Sequence, residues 1–450
     1  MARQKSYYLC QNCGAKASKW IGKCPECNQW NTFVEEIVTS IAKQSAIKGK
    51  SEPRKISSIG EEGYSRYKTT IGEVNRVLGG GLVKGSVILI GGEPGIGKST
   101  LTLQLALGIN DHTVLYVTGE ESEEQIKMRA ERLGGVNDSC FVMNDSSCER
   151  IIETAKEFKP GLLIIDSIQT IRSETVESSA GTVTQVREST YRIQEYAREY
   201  QVPVLIVGHI NKEGNLAGPK VLEHIVDTVL VFENDATNTY RVIRSLKNRY
   251  GAAFEMAVFE MTGTGLIEIL NPSDVLLSRF TDDRSGICIS SFMGGNRSFL
   301  VEVQALVSSA VYGTPQRSAT GFDTRRLNMI LAVLEKKAGF RLAVKDVFLN
   351  IAGGMRVDDP AIDLAVSVAV LSSDLDLSVD INYCFAGEIG LSGEIRPVNR
   401  LDSRIREAER VGFSKFFTSS YGLEKLKQKD YKISMIGVKD IKDLMKQVFK

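Results

Sequence analysis

No stretch of this 450-residue chain approaches the roughly twenty consecutive apolar residues a membrane-spanning helix needs. The start, Met1-Ala2-Arg3-Gln4-Lys5-Ser6-Tyr7, lacks the apolar segment of a secretory signal. Charge of one sign is also missing: 56 Lys and Arg face 55 Asp and Glu, a net of +1, so any nucleic-acid surface must be a local patch. Of eight cysteines, Cys140, Cys148, Cys288 and Cys384 are scattered and form no disulfide framework, as expected of small core residues in a reducing compartment. Tryptophan is scarce, with Trp20 and Trp30 the only two. These absences exclude a membrane partner and point to a soluble, cytoplasmic protein. Apolar residues make up 42% of the chain, enough for sizeable cores, and the length suggests about three domains.

The most informative stretch is Gly92-Glu93-Pro94-Gly95-Ile96-Gly97-Lys98-Ser99-Thr100. An apolar run, Val87 to Ile90, precedes it, and leucines at helical spacing follow from Leu101. Strand, glycine-rich turn and helix with Gly-x4-Gly-Lys-Ser at the junction make a P-loop. Glycines let backbone N–H groups wrap a triphosphate, and the new helix adds its positive end. Lys98 would reach the β- and γ-phosphates of ATP, and the Ser99 hydroxyl would hold Mg²⁺.

Cys10-Gln-Asn-Cys13 and Cys24-Pro-Glu-Cys27 are two knuckles whose thiolates can close a tetrahedral Zn²⁺ site. With almost no core of its own, such a module takes its folding energy from the metal. Trp20 and Trp30 are expected to pack on the knuckles; stacking on bases is the other reading. A basic tether carrying Lys43, Lys48, Lys50, Arg54 and Lys55 follows.

From about Ile59, apolar strands alternate with amphipathic helices, which predicts a mostly parallel sheet covered on both faces. Strands are read at 87–91, 114–117, 162–166, 204–207 and 228–232, and helices at 120–133 and 186–200. Ligands of such sheets sit at the carboxyl ends of the strands. Asp166 closes one strand in a Walker B pattern and would act on Mg²⁺. Glu120 and Glu121 close another; Glu120 is taken as general base, whereas Glu121 suits the first turn of a helix.

The run from Thr70 through Thr100, with Leu78-Gly79-Gly80-Gly81-Leu82 ahead of the P-loop, resembles RecA-type ATPases. Zinc module, RecA-like core and the later Lys247-Asn248-Arg249-Tyr250-Gly251 resemble, in that order, the bacterial RadA (Sms) family of recombination proteins along essentially the whole chain. The resemblance implies a hexameric, helicase-like, DNA-dependent ATPase of recombination, DNA repair and the DNA-damage stress response. It would bind single-stranded DNA and promote branch migration of recombination intermediates. A recombinase or a replicative helicase becomes a candidate protein partner. Lys247 and Arg249 match a finger that reaches the neighbouring subunit's ATP; a solvated basic turn is the alternative. His209 matches a γ-phosphate sensor. By position, 173–185 and 211–220, with Lys212 and Lys220, match DNA loops of the central channel, or else are ordinary surface loops.

After Asn271-Pro272-Ser273 the pattern restarts and resembles the Lon protease domain. The nucleophilic serine's place is held by Ala361, and that of the activating lysine is read at Asp402, so the domain is expected to be proteolytically inactive. Arg325, Arg326, Lys336, Lys337, Arg341 and Lys345 would form a DNA track or a plain charged face, with Lys345 the first to test. The expected class is therefore α/β. A four-Cys zinc module occupies 1–35, a basic linker 36–58, a RecA-like P-loop ATPase 59–270 and a Lon-protease-like domain 271–450.

Overall fold

The structure is a computed structural model that describes residues 6–10, 15–26, 28–37, 55, 65–209, 220–234, 239–277, 284–310, 314–426 and 431–449. Nearly all of the linker lies outside them, as do Cys13, Cys27 and Lys212. The chain divides into two compact units, one of residues 1–233 and 241–268, the other of 234–240 and 269–450.

At the start, the strands Ser6–Cys10, Lys16–Ala17 and Phe33–Ile37 form a three-stranded antiparallel sheet. Its core is Cys10, Cys24 and Phe33. The tryptophans do not pack into it: Trp20 is 53% and Trp30 68% exposed.

The larger sheet of the first unit has nine strands. Six of its strands run parallel, in the order Thr228–Asn234, Val87–Gly92, Val204–His209, Leu162–Asp166, Val114–Thr118 and Cys140–Asn144. Every strand read from the sequence is present, within two residues at its ends. Alternate residues serve opposite cores, as strand pleating requires. Val87 and Leu89 enter one core, Ile88 and Ile90 the other; Leu163 and Ile165 part from Leu162 and Ile164 in the same way. Lys98–Gly108 covers the second face with Leu101, Leu105 and Ala106, and Val183–Tyr200 covers the first with Val186, Ile193 and Ala197. Burial on both faces, about 1.5–3 kcal/mol for each large apolar side chain, explains why these strands are unbroken apolar runs.

Two helix starts differ from expectation. The helix read from Glu120 begins at Glu123, because Ser122 accepts from Gln125 N–H and Gln125 answers in a capping box. Glu121 therefore precedes the cap and is not in the first turn. Val183–Tyr200 begins three residues early, behind Thr182 as cap, and Gln185 is buried inside it. The Gln185 side chain binds back to the loop at Ser173 N–H and at the carbonyls of Ser173, Val176 and Ser178. Segment 173–185 is thus tied back to its own helix by this amide, and Glu149 accepts from Ser173 and Glu174 at its start.

The second unit carries a seven-stranded mixed sheet and the helix Asp363–Leu375, buried from Asp363 through Ser372. Ala361 is fully buried. Asp402 does not occupy the position read for it: its carboxylate faces Arg406 and Tyr431. Arg404, two residues on and so on another face of the same helix, is the buried cation. It reaches Asp359, whose other oxygen accepts the Ala361 N–H.

Candidate functional site

Gly92 ends its strand with no room for a side chain: a β-carbon there would lie 2.9 Å from Phe232 and 3.0 Å from Ile96. Gly95 and Gly97 have φ of 76° and 117°, which favours glycine. The loop they allow leaves Glu93, Pro94 and Gly95 exposed while Ile96 and Lys98 are buried. Lys98 opens the helix, and its Nζ donates to Gly92 O and Glu93 O, each at 2.8 Å. Burial lowers its pKa to about 8, against the opposing pull of Asp166, Glu120 and Glu93. A cation stripped of water and held by two carbonyls is poised to exchange them for phosphate oxygens. Ser99 and Thr100 follow on the first helical turn.

The carboxylates come from neighbouring strand ends. Asp166 closes its strand and accepts from the Tyr116 hydroxyl at 2.6 Å. The Tyr116 phenol, buried and facing that carboxylate, has its pKa raised well above normal, so it stays a donor. The Glu120 carboxylate receives the Ser167 hydroxyl at 2.6 Å, and His209 Nε2 lies 3.6 Å from the same oxygen. His209 is level with Gly92 in the strand register. Glu121 is instead held by Arg129 of the following helix. The chain thus brings together the P-loop, Lys98, Asp166, Glu120 and His209 at the carboxyl ends of four adjacent parallel strands, where a nucleotide and Mg²⁺ would sit. Glu120→Gln is expected to keep ATP affinity within a fewfold and lower turnover by about 10²- to 10⁴-fold, measured by steady-state phosphate release.

Family models match three parts of the chain: a rubredoxin metal-binding domain at residues 8–35, an AAA domain at 61–215 and the ChlI subunit of Mg-chelatase at 302–421. The DNA repair protein RadA of Bacillus subtilis is 43% identical over 99% of both chains. That of Streptococcus pyogenes serotype M6 is 44% identical over the whole of both. The chain belongs to the RadA family. The RadA protein of Aquifex aeolicus is 50% identical over 92% of this chain and 93% of its own.

The family signature Lys247-Asn248-Arg249-Tyr250-Gly251 lies away from the P-loop of its own chain. Arg249 pairs with Asp227 at 3.1 Å, and Asp227 also accepts the N–H of Val87, the first residue of the P-loop strand. Lys247 Nζ donates to Glu223 O and Val226 O, beside the helix Lys220–Ile225. Burial lowers its pKa, as does neighbouring Arg249 to a smaller degree. The P-loop occupies the other end of that strand, about 16 Å off by strand geometry. Of the remaining residues singled out in the sequence, Lys220 begins its helix. Lys345 pairs with Asp374, and Arg326 with the buried Asp363, so two cations of the proposed track already have partners.

Cys10 and Cys24, both fully buried, sit in one cluster at matching turns, with Cys10 N–H donating to Ala15 O and Cys24 N–H to Gln29 O at 2.9 Å. Two buried thiols placed this way in a module with so little core fit a Zn²⁺ site completed by Cys13 and Cys27.

Three supporting residues escaped the sequence reading. Arg241, buried, donates its Nε to Ile96 O at 2.9 Å and so ties the P-loop to the next strands. Its signal was an arginine directly before the apolar pair Val242-Ile243 of a strand. Tyr116 gave a similar one, a hydroxyl in Val-Leu-Tyr-Val. Ser167 gave none beyond following Asp166.

Proposed function

We propose that this chain is a DNA-dependent ATPase of homologous recombination and DNA repair, acting as a hexameric ring that moves on single-stranded DNA and promotes branch migration. The observation that carries the reading is the separation within one chain: nucleotide-facing groups cluster at one end of the sheet, and Lys247 and Arg249 stand at the other. Stacked head to tail, such subunits bring each signature to the next subunit's nucleotide, a heterologous contact that closes into a ring.

Gly92 through Thr100 hold ATP, with Lys98 on its terminal phosphates. Mg²⁺, bound by the Ser99 hydroxyl and through water by Asp166, supplies charge neutralisation on the β- and γ-phosphates. Glu120, oriented by Ser167, takes the proton of the attacking water, and His209 reports the γ-phosphate. Lys247 and Arg249 stabilise the transferring phosphoryl group in trans. Because Lys247 is bonded beside Lys220–Ile225, hydrolysis in one subunit can shift the helix that follows segment 211–220, where Lys212 and Lys220 would contact DNA phosphates. Lys345 is a separate candidate DNA contact within the second unit.

Residues 1–35, 36–58, 59–270 and 271–450 are taken as zinc module, linker, ATPase and Lon-like scaffold. Protease chemistry is not assigned, because Ala361 offers no nucleophile and the nearby Arg404 is committed to Asp359. The test is phosphate release with and without single-stranded oligonucleotide, alongside sedimentation with a slowly hydrolysed ATP analogue. DNA stimulation and a hexamer-sized species are expected. A monomer whose turnover ignores DNA would refute the proposal.

A further inference from the structure

The zinc module leaves Trp20 53% and Trp30 68% exposed, although a buried aromatic side chain removes about 150–250 Å² from water; among the described residues its core is Cys10, Cys24 and Phe33 with Tyr8, Ala15 and Ala17 packed against it. Burial in that core therefore does not account for them. The two indoles converge on Gly22: a β-carbon there would lie 3.6 Å from the benzo edge of Trp20 and 3.7 Å from that of Trp30. The backbone beneath is fixed. Lys23 bridges Trp30, Asn31 N–H donates to Gly22 O at 2.7 Å, and Cys24 N–H closes the second knuckle turn on Gln29 O. Lys23 Nζ stands 5.8 Å over the Trp30 ring. Over residues 15–34 the sequence has Lys16, Lys19 and Lys23 against one acid, Glu26, and Lys19 and Lys23 are exposed.

We infer that Trp20 and Trp30 form a stacking platform for the bases of single-stranded DNA, with Lys19 and Lys23 on its phosphates. Flat, rigid, exposed rings take any base on their faces, and neighbouring ammonium groups follow the backbone without reading sequence. A duplex keeps its bases stacked on one another and offers no face, so the platform selects single strands. The inference rests on the reading that this chain engages single-stranded DNA and adds a contact outside the ATPase loops.

With only two tryptophans in the chain, tryptophan emission, excited selectively over that of the tyrosines, reports this site alone. The full-length, zinc-loaded protein is titrated with a labelled oligothymidylate, following tryptophan emission and oligonucleotide anisotropy together. Emission is expected to be quenched in step with the anisotropy rise. Trp20→Ala and Trp30→Ala should each weaken binding about tenfold, whereas Trp30→Phe, which keeps an aromatic face, should lose less. Zinc content is measured for each variant; if an alanine variant loses metal, the wild-type quench and Trp30→Phe decide. Anisotropy that rises while emission stays constant overturns the platform and leaves the DNA reading standing. If neither signal moves, the DNA reading itself falls. An emission change that follows protein concentration without DNA assigns the indoles to a contact between copies, and also overturns the proposal.

Discussion

Lys98→Ala is expected to abolish ATP hydrolysis, with a loss of at least about a thousandfold in phosphate release, and to weaken nucleotide binding as well. Lys98 starts a helix at the end of the P-loop strand with its ammonium held by Gly92 O and Glu93 O. Alanine removes the P-loop's own ammonium group and leaves those two carbonyls without their donor. The same burial makes binding depend on pH. With a pKa lowered to about 8, a growing share of Lys98 is neutral above that pH in the free protein, and a neutral amine cannot pair with phosphate. Nucleotide affinity should therefore be flat at lower pH and fall, by up to about tenfold per unit, as pH rises through 8. Calorimetry in buffers of different ionisation enthalpy should show proton uptake on binding near pH 8.5. Constant affinity from pH 7 to 9.5 would contradict this account of Lys98.

Arg249→Ala should be nearly as inactive in hydrolysis as Lys98→Ala yet bind ATP almost normally, because Arg249 pairs with Asp227 at the end of the sheet away from the P-loop. Mixing the two inactive proteins separates action in trans from a structural role. In a randomly mixed ring, some interfaces join the intact P-loop of an Arg249→Ala subunit to the intact arginine of a Lys98→Ala subunit. About a quarter of the wild-type rate should return. If Arg249 merely supported the fold of its own subunit, mixing would recover nothing, and melting curves of the single variants would show the damage directly.

Much of the ATPase unit was legible because its strands are buried on both faces. Val87–Ile90, Leu162–Ile165 and Val204–Val207 are apolar without interruption, which marks central parallel strands irrespective of distant sequence. The P-loop was legible for another local reason, that only glycine suits the φ values at 95 and 97. What failed to show in sequence was decided by long-range partners. Gln185 looked like one more polar loop residue, yet from inside a helix it binds Ser173, Val176 and Ser178 of the preceding loop. Asp402 and Arg404 are two places apart on one helix, and only the interior contact with Asp359 shows which one points inward. Where the two glutamates go depended on Ser122, whose capping box ends the loop before the helix and leaves Glu121 to Arg129 while Glu120 meets Ser167.

By itself the sequence determined the order of the modules, the triphosphate loop, the acidic strand ends and the four knuckle cysteines, since each depends on residues close together in the chain. Tertiary structure alone decided which groups meet: Ser167 and His209 on Glu120, Tyr116 on Asp166, Arg241 under the P-loop, and the two indoles left outside the zinc module's core. The physical reason is range. Backbone conformation and apolar periodicity are set by near neighbours, whereas hydrogen bonds between strands dozens of residues apart exist only once the sheet has fixed their register.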